Sequence, residues 1–333
     1  MHGWLILDKP VGLGSTQAVS AVKRALRAGG YPRVKVGHGG TLDPLASGVL
    51  PVALGEATKL AGRLLDATKC YDFTIGFGVE TDTLDAEGRA VATSDVRPTL
   101  AQVEAVLPRF TGPIEQVPPA YSALKVDGER AYDRARAGET VALASRAVEV
   151  HRLQILPGTG RWQPAGLTEG VADRGAAPLT APSTIGFADG PPPRAGEELD
   201  AVTLTATVSK GTYIRSLARD IARALGTVGH VTMLRRTRAG PFDLAHAITL
   251  DKLADFGQRR GLEDLLLPLR AGLDGIPALS LAPGQAEALR QGRVLTGIAA
   301  ANGLHLAQLG DVPVALVELF AGEVRVVRGF NLS

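Results

Sequence analysis

Mixed α and β structure in two parts, a larger domain followed by a small β-rich module, is what the sequence predicts. Three observations carry this. Short β-like runs and amphipathic helical segments are mixed through residues 1 to about 155. A strand-like run at 201–208 leads into an amphipathic helix, and the chain closes on two alternating runs joined by a turn containing glycine. A length of 333 residues suits one large domain plus a small one, each with its own core.

The first helix is expected to start at Ser15 or Thr16, whose hydroxyls suit the capping of free N–H groups. It places Val19, Val22 and Leu26 on one face and ends at Gly29-Gly30. Strands are expected at 72–77, around Phe73 and Ile75, and at 148–153. From about Pro157 to Gly196 the chain is rich in Gly, Pro and Ala, contains Pro191-Pro192-Pro193 and lacks sustained periodicity. That stretch reads as a mobile surface insertion, with Trp162 and Ile185 as the residues able to tie it down. After it, Val202, Leu204, Ala206 and Val208 alternate with threonines. The following helix, from about Tyr213 to Leu225, carries a buried stripe of Ile214, Leu217, Ile221 and Leu225 and stops at Gly226. In the last zone, 274–333, a short helix at 285–291 ends at Gly292, and 314–320 pairs with 324–327 through Ala321-Gly322-Glu323.

Composition narrows the function classes. Hydrophobic residues make up 45% and charged residues 21%, as in ordinary globular proteins. The one cysteine, Cys70, excludes a disulfide framework and a Cys-based zinc site and points to a reducing compartment. The stretch Met1–Asp8 has no basic run ahead of its apolar residues, so it does not read as a signal peptide. No apolar run approaches the roughly 20 residues of a membrane helix. Net charge is only +2, yet Lys210, Arg215, Arg219, Arg223, Arg235, Arg236 and Arg238 cluster with Asp220 as the one acid among them. Such a cluster either neutralises phosphates or forms a solvated charged face.

The segment Gly37-His38-Gly39-Gly40-Thr41-Leu42-Asp43-Pro44 combines a glycine-opened backbone with a carboxylate held before proline. A carboxylate presented from such a loop suits a nucleophile or a general base; the plainer alternative is that Asp-Pro starts a turn. The other glycine-rich stretch, Lys9 to Ser15, fails the tests for nucleotide-binding loops: it lacks G-x-x-x-x-G-K-[ST], and Gln17 stands where G-x-G-x-x-G needs its third glycine. The six histidines are scattered without metal-ligand spacing, and G-x-S-x-G is absent.

These segments have a collective resemblance. Lys9-Pro10-x-Gly12 with Ser15, then Gly37-His38-x-Gly40-Thr41-Leu42-Asp43-Pro44-x-Ala46-x-Gly48-Val49-Leu50, resemble the paired opening motifs of the tRNA pseudouridine-55 synthase family (TruB). The likeness continues through Lys69-x-Tyr71, Gly78-x-x-Thr81-Asp82-Thr83-x-Asp85-x-x-Gly88, and Gln116-x-Pro118-Pro119-x-Tyr121-Ser122-Ala123-Leu124-Lys125. It runs on to Gly211-Thr212-Tyr213-Ile214-Arg215-Ser216-Leu217 and Leu234-Arg235-Arg236-Thr237-x-x-Gly240-x-Phe242. The resemblance implies an α+β catalytic domain, residues 1–255, around a mostly antiparallel mixed sheet. It also implies a small C-terminal PUA-like RNA-binding domain at 274–333.

It further implies conversion of uridine to pseudouridine in the T-loop of tRNA, an isomerisation that requires no cofactor and no metal. Asp43 matches the catalytic aspartate, which either attacks the sugar or removes a sugar proton. Arg215 matches the arginine paired with it, and Tyr71 the tyrosine that stacks on the target base and assists proton removal. Tyr213 and Leu234 match residues lining the base pocket, and His38 the residue that fills the space of the displaced base. Lys9 is expected to position the opening loop or a phosphate. Gly39 stands where the family often carries a larger residue, which implies a looser loop. The partner expected is the T-arm of tRNA, with no membrane and no protein partner, the chain acting as a cytoplasmic monomer. Two rivals remain: a tRNA-folding chaperone without chemistry, and a guide-RNA-dependent synthase subunit.

Overall fold

Two early segments, GWLILDK and SGVLPVAL, are apolar almost without alternation, the pattern of strands covered on both faces. In the computed structural model they form antiparallel strands Gly3–Lys9 and Ser47–Leu54, in register from Gly3 opposite Leu54 to Lys9 opposite Gly48. The structure describes residues 1–122, 124–126, 129–137, 139, 143–156 and 197–332. The insertion expected at 157–196, with Trp162 and Ile185, lies outside the described residues. The chain divides into two compact units: one comprises 1–71, 208–210 and 234–333, the other 72–207 and 211–233.

In the first unit, one face of the strand pair is covered by helix Ser15–Ala28, which brings Ala18, Val19, Val22 and Leu26 against Leu5, Leu7, Leu50 and Val52. The other face holds Trp4, Ile6, Val49, Leu64 and Phe242, with Leu306, Leu316 and Phe330 from the C-terminal strands in the same cluster. Trp4 is fully buried, lies 5.4 Å from the Phe242 ring centre and donates from Nε1 to the Leu269 carbonyl at 3.1 Å. Each large apolar side chain buried this way contributes about 1.5–3 kcal/mol. The first helix has the expected limits but not the expected cap. Gly14 is its N-cap, and Gln17 Oε1 accepts from the Gly14 N–H at 2.7 Å. Ser15 is engaged elsewhere, as described below.

Strand Ser47–Leu54 takes a short parallel neighbour, with Arg235 opposite Ser47 and Arg236 opposite Gly48 in strand Gly229–Ala239. Gly48 has φ +101, and a Cβ there would collide with the Arg236 carbonyl. A glycine is therefore required at this close approach. Strand Val36–His38 pairs antiparallel with the far end of Ser47–Leu54, placing His38 opposite Val52.

The region read as a closing module forms its own four-stranded sheet, in the order Ala278–Ser280, Gly303–Leu309, Val312–Phe320, Glu323–Gly329. Helix Pro283–Arg290 covers it, with Leu289 and Ala286 packed on Val317, Leu319 and Val324. Its hairpin loop is two residues, Ala321 (φ 49) and Gly322 (φ 78). Positive φ at both positions matches the twist of the flanking strands.

In the second unit, strands Lys69–Phe77, Ala201–Val208, Arg146–Ile155 and Gly112–Gln116 are neighbours in that order. The expected alternation at 201–208 holds for Val202, Leu204, Ala206 and Val208, but Thr203 is buried too. Its hydroxyl lies 2.9 Å from that of Thr74, so the polar face is satisfied inside the sheet. Helix Ile214–Ala224 has Tyr213 as N-cap and ends before Gly226 (φ 76), burying Ile214, Leu217 and Ile221. Among the described residues no helix is long and apolar enough to cross a membrane.

Candidate active site

Asp43 lies half-buried in a tight turn between strands Val36–His38 and Ser47–Leu54, its carbonyl accepting from the Ala46 N–H at 3.1 Å. Three side chains hold this loop from behind. Ser15 Oγ accepts from the Leu42 N–H at 2.8 Å and donates to the Leu42 carbonyl at 2.9 Å. Lys9, with no exposed surface, donates from Nζ to the carbonyls of Pro10, Leu13 and Pro44 at 2.9, 2.6 and 3.3 Å. Gly12 adds a backbone N–H to the Pro44 carbonyl at 2.8 Å. The two opening motifs are thus bound to each other through backbone carbonyls, and Lys9 acts on the loop.

The third clamp is Arg236, whose guanidinium donates from Nε to the Val49 carbonyl at 2.8 Å, from Nη1 to Thr41 at 3.1 Å and from Nη2 to Gly40 at 3.4 Å. Arg236 is 1% exposed. Its planar fork presents donors in fixed directions, so one side chain ties the strand carbonyl of Val49 to the loop carbonyls of Gly40 and Thr41. Its charge is felt nearby. Burial first, then Arg236, hold His38 below its ordinary pKa, against an opposing contribution from the Gly40 backbone, so the ring is neutral at pH 7. The buried His38 Nδ1 has no hydrogen-bond partner among the described residues. Lys69 is pushed down to about 8, mainly by burial and next by Arg236, while donating to the carbonyls of Leu65 and Ala67 at 2.7 and 2.6 Å.

Gly39 does not loosen the loop as its small size led us to expect. It is buried, its N–H donates to the Pro51 carbonyl at 2.9 Å, and a Cβ would lie 2.5 Å from Leu64 Cδ1. Leu64 occupies the volume a larger side chain would need. Of the remaining candidates in this unit, Tyr71 is half-buried in strand Lys69–Phe77 and Leu234 is buried in strand Gly229–Ala239.

The second unit carries Tyr213 and Arg215 at the start of helix Ile214–Ala224. The Tyr213 N–H donates to Gln116 Oε1 at 2.7 Å, and the Arg146 guanidinium carbon lies 4.7 Å from the ring centre. Arg146 also donates to the Gly211 carbonyl. Arg215 is buried and donates from Nη1 to Asp85 Oδ2 at 3.1 Å and to the Thr83 carbonyl at 2.9 Å, and from Nη2 to the Tyr121 carbonyl at 2.9 Å. Asp85 is 2% exposed and is also held by the Thr83 hydroxyl at 2.5 Å. Breaking a buried ion pair from one side leaves an uncompensated charge. Asp85→Asn is therefore expected to destabilise the fold by about 3–5 kcal/mol. Denaturant unfolding of both proteins checks this, and a loss below about 1 kcal/mol would show that the pair does not hold Arg215.

Most of the arginine-rich segment, read as either a phosphate-neutralising cluster or a solvated charged face, is paired with acids. Lys210 pairs with Asp66, Arg219 with Asp220, Arg223 with Glu80, and Arg235 with Asp8, the last through two oxygens at 2.8 and 3.0 Å. Arg238 donates to the Gly240 carbonyl, completing a cluster largely neutralised by acids distant in sequence. Sequence reasoning misses two contributors. It treats Arg236 only as a cation, and Asp85 only as part of a matching block without a role. The available signal for Asp85 is a carboxylate following Thr81 and Thr83 and preceding Gly88, whereas nothing local separates Arg236 from its neighbours Arg235 and Arg238.

The Asp43 carboxylate is thus presented from a loop clamped through its own carbonyls, on an α+β scaffold of mostly antiparallel strands. Similarity to known proteins narrows the class. Residues 23–164 match the N-terminal domain of TruB family pseudouridylate synthases, and residues 215–274 match a tRNA pseudouridylate synthase B C-terminal domain. The tRNA pseudouridine synthase B of Novosphingobium aromaticivorans is 60% identical over 333 residues, covering 100% of this chain and 98% of that protein. The Zymomonas mobilis protein of the same name is 54% identical, covering 99% and 96%. Among solved structures, a chain of a Cbf5-Nop10-Gar1 complex aligns at TM-score 0.67 and 27% identity, covering 99% of this chain and 85% of that one. A chain of an H/ACA RNP bound to a substrate RNA containing 2′-deoxyuridine aligns at TM-score 0.65 and 25% identity, with the same coverage. The chain belongs to the TruB family of pseudouridylate synthases.

Proposed function

We propose that this enzyme isomerises uridine to pseudouridine at position 55, in the T-loop of tRNA, with Asp43 as its essential carboxylate. The observation that carries the reading is the loop itself: Asp43 is presented from a backbone held by buried Lys9, Ser15 and Arg236. Such rigidity is what a group acting on a single sugar carbon needs, because small displacements cost large factors in rate. The names of relatives at 60% and 54% identity support the same reaction.

In the reaction the N1–C1′ bond breaks, the base turns, a C5–C1′ bond forms, the C5 proton leaves and N1 takes up a proton from solvent. Asp43 either bonds to the sugar or takes a sugar proton, and Arg215 is the cation that serves it. Tyr71 stacks on the extruded base and assists proton removal at C5, with Tyr213 and Leu234 as the walls of the base pocket. His38 fills the vacated space, and its neutral ring suits stacking. Flipping a base costs a few kcal/mol, and one aromatic stacking contact returns about 1–3 kcal/mol. Lys9 serves the loop and not a phosphate. Residues 1–255 act as the catalytic domain and 274–333 as a PUA-like RNA-holding domain. The enzyme works as a cytoplasmic monomer on the tRNA T-arm without a protein partner.

A second reading, as the synthase subunit of an RNA–protein particle, draws on the structural likeness to H/ACA assemblies. The far higher identity to single-protein names favours the stand-alone form. The test is tritium release from C5-labelled uridine in an unmodified tRNA transcript, with EDTA and no other protein or RNA. Release confined to the T-loop uridine is expected. Tight binding without release would overturn the reading in favour of a chaperone or a partner-dependent subunit.

A further inference from the structure

Between Asp8 and Asp43 the chain contains six lysines and arginines and not one acid. Lys9 is buried in the loop clamp, and the other five, Lys23, Arg24, Arg27, Arg33 and Lys35, are exposed. Lys23 and Arg27 stand one turn apart on helix Ser15–Ala28, while Arg33 and Lys35 lie on the segment that returns to strand Val36–His38. Four of them, all but Arg24, line an open groove of about 760 Å³ together with Tyr31, Leu26 and Val36. The Tyr31 hydroxyl is fixed by the Leu262 N–H at 3.1 Å, so its ring forms a set part of the wall. Among the described residues none of the five makes an ion pair with a carboxylate, in contrast to most of the 210–238 cluster.

We infer that this groove is a binding site for the phosphate backbone of the substrate RNA. The inference rests on the proposed reading of the chain as a tRNA-modifying enzyme and adds a binding surface to it. Charge and shape favour RNA: an acid-free set of cations around a groove, with an anchored tyrosine, follows a backbone and offers a base a surface to stack on. Position favours it as well. Lys35 lies three residues from His38 along an extended segment, roughly 10 Å from the catalytic loop in the same unit. The groove supplies sequence-independent affinity that the 210–238 cluster, occupied by its own acids, supplies less well.

The test is the full-length enzyme carrying Lys23→Ala, Arg27→Ala, Arg33→Ala and Lys35→Ala, all exposed positions whose truncation leaves the core intact. Affinity for unmodified tRNA is measured by filter binding across a potassium chloride series, alongside tritium release at saturating tRNA. Each phosphate that is no longer neutralised lowers the slope of log K against log salt by about 0.7–0.9, and affinity near 0.1 M by roughly a factor of ten. The expected result is at least about tenfold weaker binding, a shallower slope and an unchanged kcat. A companion variant with Lys23→Arg and Lys35→Arg retains affinity. Wild-type affinity and slope in the four-alanine enzyme would overturn the inference, as would a loss seen only with vesicles of anionic lipid. If the unaltered enzyme binds tRNA but releases no tritium, the proposed function fails, while the binding series still decides the groove.

Discussion

Asp43→Asn is expected to abolish tritium release, by about 10⁴-fold or more, while tRNA affinity stays within about twofold. The side chain keeps its size and its place on the loop, because the hydrogen bonds that hold that loop run through the carbonyls of Gly40, Thr41, Leu42 and Pro44. The change removes the negative oxygen that, in the proposed reaction, bonds to the sugar or takes its proton. An amide does neither. In the proposed function RNA affinity comes from cations and stacking surfaces elsewhere, which insulates binding from the change. Single-turnover rates with saturating enzyme separate the chemical step from binding. Normal turnover in this variant would remove Asp43 from its role and leave the loop as a purely structural turn.

Arg236→Met is expected to reduce kcat by about 100-fold with little change in tRNA affinity, and to lower stability by several kcal/mol. Three carbonyls, those of Gly40, Thr41 and Val49, would lose their donor, and the contacts to Gly40 and Val49 are buried. Unmade hydrogen bonds of buried groups cost about 1–3 kcal/mol each. The loop would relax, and Asp43 would leave its working position. Arg236→Lys is the informative companion: it keeps the charge but reaches fewer carbonyls, so kcat recovers in part. A second readout separates loop control from general weakening. The Arg236 charge helps to depress both His38 and Lys69, so the Met variant raises both pKa values while the Lys variant leaves them close to wild type. Titration of the His38 ring by NMR reads this directly. Wild-type kcat in Arg236→Met would refute the clamp.

Much of the local structure is legible from the chain alone. Periodicity locates the helices at 15–28 and 214–224 and the strand at 201–208 to within a residue or two. These are short-range properties: the spacing of apolar side chains along the chain specifies which face is buried. The Asp43 loop is legible for a related reason, since glycines, a carboxylate and a proline state their backbone needs within a few positions.

Other features have no local signature. Ser15 resembles a helix cap because serine beside an amphipathic run normally is one; its hydroxyl instead meets Leu42, 27 positions away. The basic cluster looks free in sequence because its neutralising acids, Asp8, Asp66, Glu80 and Asp85, lie more than about 100 positions away. The exposed basic groove escapes a sequence reading because its cations are spread over a helix and a loop. Strand pairing is what brings Ser47 and Gly48 beside Arg235 and Arg236. Composition and spacing therefore settle which segments fold and which residue types a site offers. Which charges remain free, and which backbone each buried cation holds, depends on distant segments meeting, and that is decided only once the sheet has assembled.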